Sequence, residues 1–466
     1  VPSEQQRSDV EPNGPSARNL LLLIAAALGI AAISAVAMPG LGYDAWTWMI
    51  WAREIGHLSL NTTTGSTIKP LPMLVMAPFA SFGDLAPFVW LTLARAAFLL
   101  MPFAGWRLGS LLGGRYCALL SAVSTLMIPL AADSAVNGYT EPLIILLTLT
   151  AAAELILKRT QRAMLLTVLV GLIRPEVWPF TLVIAIWAVR ENKLPAWRAV
   201  LSTLAAPAIW MTLGWVGSGR PLGGSELGQI VLGGDDVLRQ ALTGVVPIIG
   251  IGLILAAVLA VRQRNRVVLL LGGTALAWVL LVTVMTLLSI SSGNSRYLAP
   301  AEALAGVLGA WGLTESIGLL TSVAAKRLAA GIVVAGLAFT AMFGLVSLSR
   351  SVDRFTTYSK AADQMKGAIE LAGGRDQVLA VGKPVVMNWS RVSALAWQLD
   401  VPITGVRTIW RVDWFTSTKL PTILIAAPVA KAGPRSAIPR QFRTTLIGKY
   451  GPWQVMRAER AVANNR

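Results

Sequence analysis

Four polar clusters interrupt an otherwise apolar chain, and each carries residue types able to do chemistry. The first is Gly42-Tyr43-Asp44-Ala45-Trp46-Thr47-Trp48-Met49-Ile50-Trp51-Ala52-Arg53-Glu54-Ile55-Gly56-His57. Trp48, Trp51, Ile55 and Leu58 recur at three- and four-residue steps, a single apolar stripe that predicts an amphipathic helix lying in a membrane interface. Asp44 stands at the head of that helix. There it can cap the helix, or serve as a general base whose partial desolvation raises its pKa, and the two roles are compatible. The loop continues to Lys69-Pro70-Leu71-Pro72, where the lysine can bind a lipid phosphate as a point charge or simply snorkel to the headgroups.

The second cluster is Asp133, Asn137, Gly138, Tyr139, Thr140, Glu141 and Pro142, with Glu141 opening an apolar run at the end where a helix dipole favours an acid. The third is Arg174-Pro175-Glu176, in the middle of residues 163–189 and the only charged residues among those 27. An arginine and a glutamate at such depth need an ion pair with each other or a polar substrate. The fourth is Gly293-Asn294-Ser295-Arg296-Tyr297-Leu298-Ala299-Pro300, whose arginine can clamp a phosphate in bidentate fashion.

The elements that position these clusters are membrane helices. Of the 466 residues, 55% are hydrophobic and only 14% charged, against about 25% charged in ordinary soluble domains. Apolar spans of bilayer length read at 19–38, 86–106, 116–131, 140–157, 197–216, 238–260, 267–290, 298–320 and 328–348. The first ends in Ala35-Val36-Ala37, which imitates a cleavage site but reads as part of a retained anchor. The loops at 107–115, 158–162, 190–198, 262–266 and 326–327 hold 13 Lys and Arg, whereas those at 40–85, 132–139, 217–240 and 291–297 hold five. Basic loops stay in the cytoplasm, so all four clusters are expected on the opposite face. Segment 163–189 is flanked by two cytoplasmic loops yet is too short for two crossings. It is expected to form two short helices broken at Pro175, giving roughly eleven membrane helices in all.

Residues 1–18 read as a short disordered cytoplasmic tail, 19–350 as the membrane domain, and 351–466 as a small α/β domain outside the membrane. In that tail Ala361–Ala372 reads as a helix, and Gln377–Val381 and Thr422–Ala426 as strands. Trp389, Trp397, Trp410 and Trp414 there are candidates for sugar stacking or core packing. The formal charge of +17 is uneven: 18 basic and seven acidic residues lie from Arg350 onward, a net +11. No basic block exists, so nucleic acid is not an expected partner. One cysteine, Cys117, and one histidine, His57, exclude a disulfide framework and a His-rich metal or haem site. Walker, GxSxG and HExxH motifs are absent, and Asp235-Asp236 does not form a nucleotide-sugar DxD motif.

On Gly42–Glu54, Lys69-Pro70-Leu71-Pro72, Arg174-Pro175-Glu176-Val177-Trp178-Pro179-Phe180 and Ser295-Arg296-Tyr297-Leu298-Ala299-Pro300, residues 19–350 resemble the GT-C superfamily. These are membrane glycosyltransferases that use polyprenyl-phosphate sugars. The phrases look most like the actinobacterial arabinofuranosyl- and mannosyltransferases of cell-wall biogenesis. The resemblance implies that Asp44 is the catalytic base and that Lys69, Arg174 and Arg296 hold the donor phosphate. It further implies substrate contacts from Tyr43, Glu54, His57, Asn137, Tyr139, Glu141, Glu176 and Tyr297. The implied partners are a polyprenyl-phosphate sugar, a glycan or lipid-linked acceptor, and membrane lipids. No cofactor is required, because fixed cations can do the work of a divalent metal. The competing readings are a polyprenyl-lipid flippase and a non-catalytic envelope protein that binds lipid-linked glycan.

Overall fold

The computed structural model describes residues 16–221, 234–386, 388–408, 421–426 and 442–460. The chain divides into two compact units. One comprises Val1–Ala37, Leu91–Ala208 and Gln229–Ser351; the other comprises Met38–Trp90, Ile209–Gly228 and Val352–Arg466. The expected disordered tail lies largely outside the described residues, and the first helix, Ala17–Ala37, begins two residues earlier than hydropathy predicted.

Among the described residues, five helices are long and apolar enough to cross a bilayer: Ala17–Ala37, Leu85–Leu126, Ala196–Ser218, Arg266–Leu287 and Val323–Leu371. Leu85–Leu126 is two helices joined at Gly113 and Gly114, where the backbone leaves helical φ/ψ. The single span read at 238–260 is instead two helices, Gly234–Thr243 and Pro247–Gln263, bent by 96° at the break between them. Pro247 can open a helix but cannot continue one, and the polar Gly234-Asp235-Asp236 start is unsuited to hydrocarbon. Counting that pair as one gives up to six candidate spans among the described residues.

In the first unit, helices Pro247–Gln263 and Ala299–Gly318 meet backbone to backbone. A Cβ on Gly309 or Gly312 would strike the carbonyl oxygens of Ile249 and Gly252, so only glycine permits this approach. Arg95 fixes the first helix. It donates from Nη1 to the Ser34 carbonyl at 2.6 Å and hydroxyl at 2.9 Å, and from Nη2 to the Val136 carbonyl at 3.2 Å. The expected break in 163–189 is present as helices Thr160–Gly171 and Trp178–Arg190 flanking a single turn at Pro175–Val177. Their 12 and 13 residues span only about 18–20 Å, well short of the about 30 Å hydrocarbon layer.

The second unit corrects two readings. Helix Tyr43–Gly56 does not lie with one apolar face on a surface. Trp48, Met49, Ile50, Trp51 and Ala52 are all fully buried, as in a helix enclosed on every side. Its enclosure comes in part from the tail: the Thr47 and Ser393 hydroxyls share a hydrogen bond at 2.7 Å, and Arg53 pairs with Asp400 at 2.6 Å and donates to the Val401 carbonyl at 3.0 Å. The second correction concerns Gln377–Val381, which is helical within Gly374–Val381. Left-handed Gly373 and Gly374 end the preceding helix and start this one, and Gly382 ends it before the first strand.

That strand, β1 (Val385–Val386), belongs to a five-stranded sheet with β2 (Arg407–Thr408), β3 (Thr422–Ala426, as read from sequence), β4 (Phe442–Tyr450) and β5 (Trp453–Arg460). Its order is β2-β1-β3-β5-β4, parallel among the first three and antiparallel thereafter. Trp453 is fully buried and donates to the Ala361 carbonyl at 2.7 Å, docking the sheet on the long helix Val323–Leu371. That helix runs unbroken through Ser351, where sequence alone marked a change of character. Trp397 is likewise buried, consistent with a packing role; Trp410, Trp414 and the Trp389 side chain lie outside the described residues.

Trp51→Ala should cost about 3–5 kcal/mol, as large-to-small core changes do. The expected readout is a lowered melting temperature in detergent together with faster proteolysis after residues 57–69. An unchanged melting temperature would show that this tryptophan is not part of the core.

Candidate functional site

Each unit contributes its own set of predicted residues. In the second unit the cap position of helix Tyr43–Gly56 is Gly42, so Asp44 does not cap the helix. It sits in the first turn, half-buried, where exposed backbone N–H groups favour an acid. Tyr43 beside it is buried. His57 closes the helix at its other end and is exposed.

The loop after His57 is fastened to the helix by three side chains on successive turns. Trp48 donates to the Thr67 carbonyl at 3.1 Å, Trp51 to the Asn61 carbonyl at 2.9 Å, and the Asn61 N–H donates to Glu54 Oε2 at 2.8 Å. The loop therefore ends at a fixed place, with Lys69 extended ahead of Pro70, the conformation a following proline favours. The Lys69 ammonium is only 4% exposed and lies 4.7 Å from the Trp48 ring centre. A cation held against an indole face is partly desolvated and strengthened as an anion partner. Glu54, expected as a substrate contact, holds the loop through its Oε2. Its Oε1 is buried with no hydrogen-bond partner, and burial pushes its carboxyl from 4.5 up to about 7, against the opposing pull of the Asn61 N–H and Arg53.

In the first unit, three of the four polar clusters meet at one carboxylate. Glu141 opens helix Glu141–Ile156 and is fully buried. Its Oε1 accepts from Arg174 Nη2 at 2.9 Å and lies 3.9 Å from Arg296 Nε. Arg174 also donates to the Arg296 carbonyl at 3.2 Å and stacks 4.2 Å over Tyr297. Arg296 in turn lies 4.7 Å over Tyr139. The Trp278 indole donates to the Tyr297 carbonyl at 2.8 Å and stacks on Phe180 at 5.3 Å, so the second helix of the broken segment buttresses the same cluster. Arg174 occupies the extended residue before Pro175, which turns its side chain out of the helix it would otherwise have joined.

Of the two readings open for Arg174 and Glu176, the pair with each other does not form. The partner of Arg174 is Glu141, while Glu176 is buried with its Oε2 unpaired. Arg174 is 4% exposed and locked on three sides, whereas the Arg296 side chain is 25% exposed. Of the two, Arg296 is the guanidinium an incoming anion can reach. Asn137 donates to the Asp133 carbonyl at 2.8 Å and closes its own turn.

Sequence reasoning passed over Glu302. It is buried, its Oε2 has no partner, and it is the one charged side chain lining an apolar groove of about 620 Å³ walled by Leu238, Leu242, Leu253 and Leu276. An acid in the first turns of the apolar run 298–320 was the available signal. Among the described residues no three His, Cys, Asp or Glu side chains form a metal-sized group.

No protein-family model matches the sequence, and no curated protein sequence matches it significantly. Solved structures do match. ArnT from Cupriavidus metallidurans bound to undecaprenyl phosphate superposes with a TM-score of 0.59 at 15% identity, covering 94% of this chain and 97% of that one. Its apo form gives 0.56 at 15% identity over the same shares, 94% and 97%. Archaeal oligosaccharyltransferase AglB from Archaeoglobus fulgidus gives 0.49 at 10% identity over 87% of this chain and 69% of that one. These neighbours are GT-C glycosyltransferases. What the chain shares with ArnT is its fold. The likeness extends over nearly the whole of both ArnT and this chain, tail included.

Glu54 makes stability pH-dependent with a definite sign. Its folded pKa lies above the unfolded one, so between about 4.5 and 7 the unfolded chain loses a proton that the folded chain keeps. Stability from this group is complete below 4.5 and declines as pH rises to 7, by about 1–3 kcal/mol. Melting temperatures across pH 4–8 should fall less steeply in Glu54→Gln than in the native chain; identical slopes would remove Glu54 as the source.

Proposed function

We propose that this chain is an inverting glycosyltransferase of the GT-C kind. It moves a sugar, arabinofuranose or mannose first among candidates, from a polyprenyl-phosphate donor to a glycan or lipid-linked acceptor. The observation that carries the reading is the pair of arginines gathered at Glu141, a buried cationic group in a fold shared with a protein solved with undecaprenyl phosphate bound. A buried excess of positive charge has little structural use and a clear use as an anion site.

In this reading Asp44 accepts the proton of an acceptor hydroxyl. The hydroxyl oxygen attacks the anomeric carbon from the face opposite the phosphate. The bond from that carbon to the phosphate oxygen breaks with its electron pair staying on the oxygen, and polyprenyl phosphate leaves. Charge grows on the phosphate as the bond breaks, and Lys69 and Arg296 stabilise it, with Arg174 holding Arg296 in place. Fixed cations make a divalent metal unnecessary. Tyr43, His57, Tyr139 and Tyr297 are left to bind sugar and acceptor.

The reading also carries the remaining topological proposals. Nine spans and the two short halves of the broken segment make roughly eleven membrane helices in a bacterial plasma membrane, oriented by the charge of their loops, and residues 351–466 and the reacting groups face the extracytoplasmic side. The short motifs favour an actinobacterial cell-wall enzyme.

Purified protein given a polyprenyl-phosphate sugar and acceptor should release free polyprenyl phosphate, which neither a flippase nor a binding protein does. Asp44→Asn should lower that rate by about 10²–10⁴, the usual worth of a positioned base, with melting temperature unchanged. Wild-type transfer by the Asn variant would remove Asp44 as the base.

A further inference from the structure

The groove that holds Glu302 lies in the first unit, and the proposed sugar transfer makes no use of it. Its floor is buried Ala256, Ala260 and Leu308, and its rims carry the exposed Leu242 and Leu276. The groove is thus open along one side, and every lining side chain except Glu302 is apolar. On helix Arg266–Leu287 the lining runs from Val268 to Val279, about 16 Å along the axis. That is close to the depth of one leaflet, half of the about 30 Å hydrocarbon layer. Exposed leucines along such a groove mark a surface that membrane lipid covers, and its shape suits one extended chain.

The acid discriminates among lipids. Glu302 is 6% exposed, stands in the first turn of helix Ala299–Gly318, and reaches the bend before Pro247. A Cβ on Gly244 would strike its Oε1, so the missing side chain at that turn leaves room for the carboxylate. Among the described residues, neither oxygen has a cation or a hydrogen-bond donor in reach. An unpaired carboxylate in apolar surroundings is costly, and the groove holds no group of its own to offset it. A ligand with an ammonium group supplies both missing things, an opposite charge and N–H donors. A headgroup with a phosphate and no ammonium brings a like charge and is repelled.

We propose that this groove binds one acyl chain of a membrane lipid whose headgroup carries a primary ammonium. The ammonium pairs with Glu302, and the chain lies over Ala256, Ala260 and Leu308. None of the lining residues belongs to the cluster at Glu141, and the site does not depend on sugar transfer.

The test uses the full chain in detergent with equimolar dioleoyl phosphatidylethanolamine and its N-acetyl derivative, the bound lipid being read by native mass spectrometry. The two probes share chains and phosphate and differ in the ammonium. Native protein should retain the amine lipid at least about fivefold over the N-acetyl lipid, the worth of an ion pair even at a surface. Glu302→Gln keeps the shape, removes the charge, and should bring the two within about twofold. A Cβ on Gly273, which also lines the groove, would meet no atom within 4 Å. Gly273→Leu therefore fills the groove without a clash, and leucine is the better helix former. It should lower retention of the amine lipid at least about fivefold without lowering the melting temperature. Equal retention of both probes by native protein overturns the proposal, even if Glu302→Gln does not fold. So does a preference that survives in folded Glu302→Gln, or amine-lipid retention unchanged in Gly273→Leu. Undecaprenyl phosphate held in preference to the amine lipid, and lost in Gly273→Leu, gives the groove to that lipid and likewise overturns it.

Discussion

The buried carboxylate of Glu141 is the constraint around which the first unit is organised. Charges in an apolar helical bundle are costly unless paired, and pairing demands geometry. Arg174 comes from a broken helix, Arg296 from the turn before Ala299–Gly318, and Glu141 from the first residue of its own helix. Each segment is short or interrupted at that place, which is how three chain ends reach one oxygen atom. Tyr297, Tyr139 and the Trp278–Phe180 stack supply faces for the guanidiniums, so the cations are held by aromatic surface as well as by the anion.

The second unit solves a different problem. A loop of about a dozen residues must deliver Lys69 to a fixed place without secondary structure of its own. Two tryptophan N–H groups and one carboxylate, all from helix Tyr43–Gly56, take up its backbone groups. The helix is rigid because it is enclosed, and its enclosure includes the tail helix Val392–Gln398 through Thr47, Arg53 and Trp46. The tail is therefore part of the scaffold that positions Asp44. It is not an appendage that can be removed to leave the rest undisturbed.

Fold likeness at 15% identity carries the architecture and leaves chemistry to be argued from residues. Here the residues supply an acid at a helix start, a desolvated lysine and a reachable arginine. These are the groups to which the proposed sugar transfer assigns its base and its phosphate-binding cations.

Much of this was legible in the sequence, because hydrophobicity and proline act locally. A bilayer-length apolar run, a Pro175 flanked by charges that disfavours helix continuation, and basic loops are properties of a few neighbouring residues. They gave the membrane class, the broken segment at 163–189 and the polar clusters that matter. Pairing is not local. That Arg174 would reach 33 residues back to Glu141 instead of two residues on to Glu176 depends on which helices pack side by side. That Glu54 would fasten a loop, and that a tryptophan-rich helix would be enclosed on all sides, depends on what the tail brings against it. The bend of 96° before Pro247 likewise broke a run of suitable hydropathy that read as one span. Residue type determined which groups carry charge; tertiary packing decided which charges meet, because a buried ion accepts only the partner that the backbone delivers within about 3–4 Å.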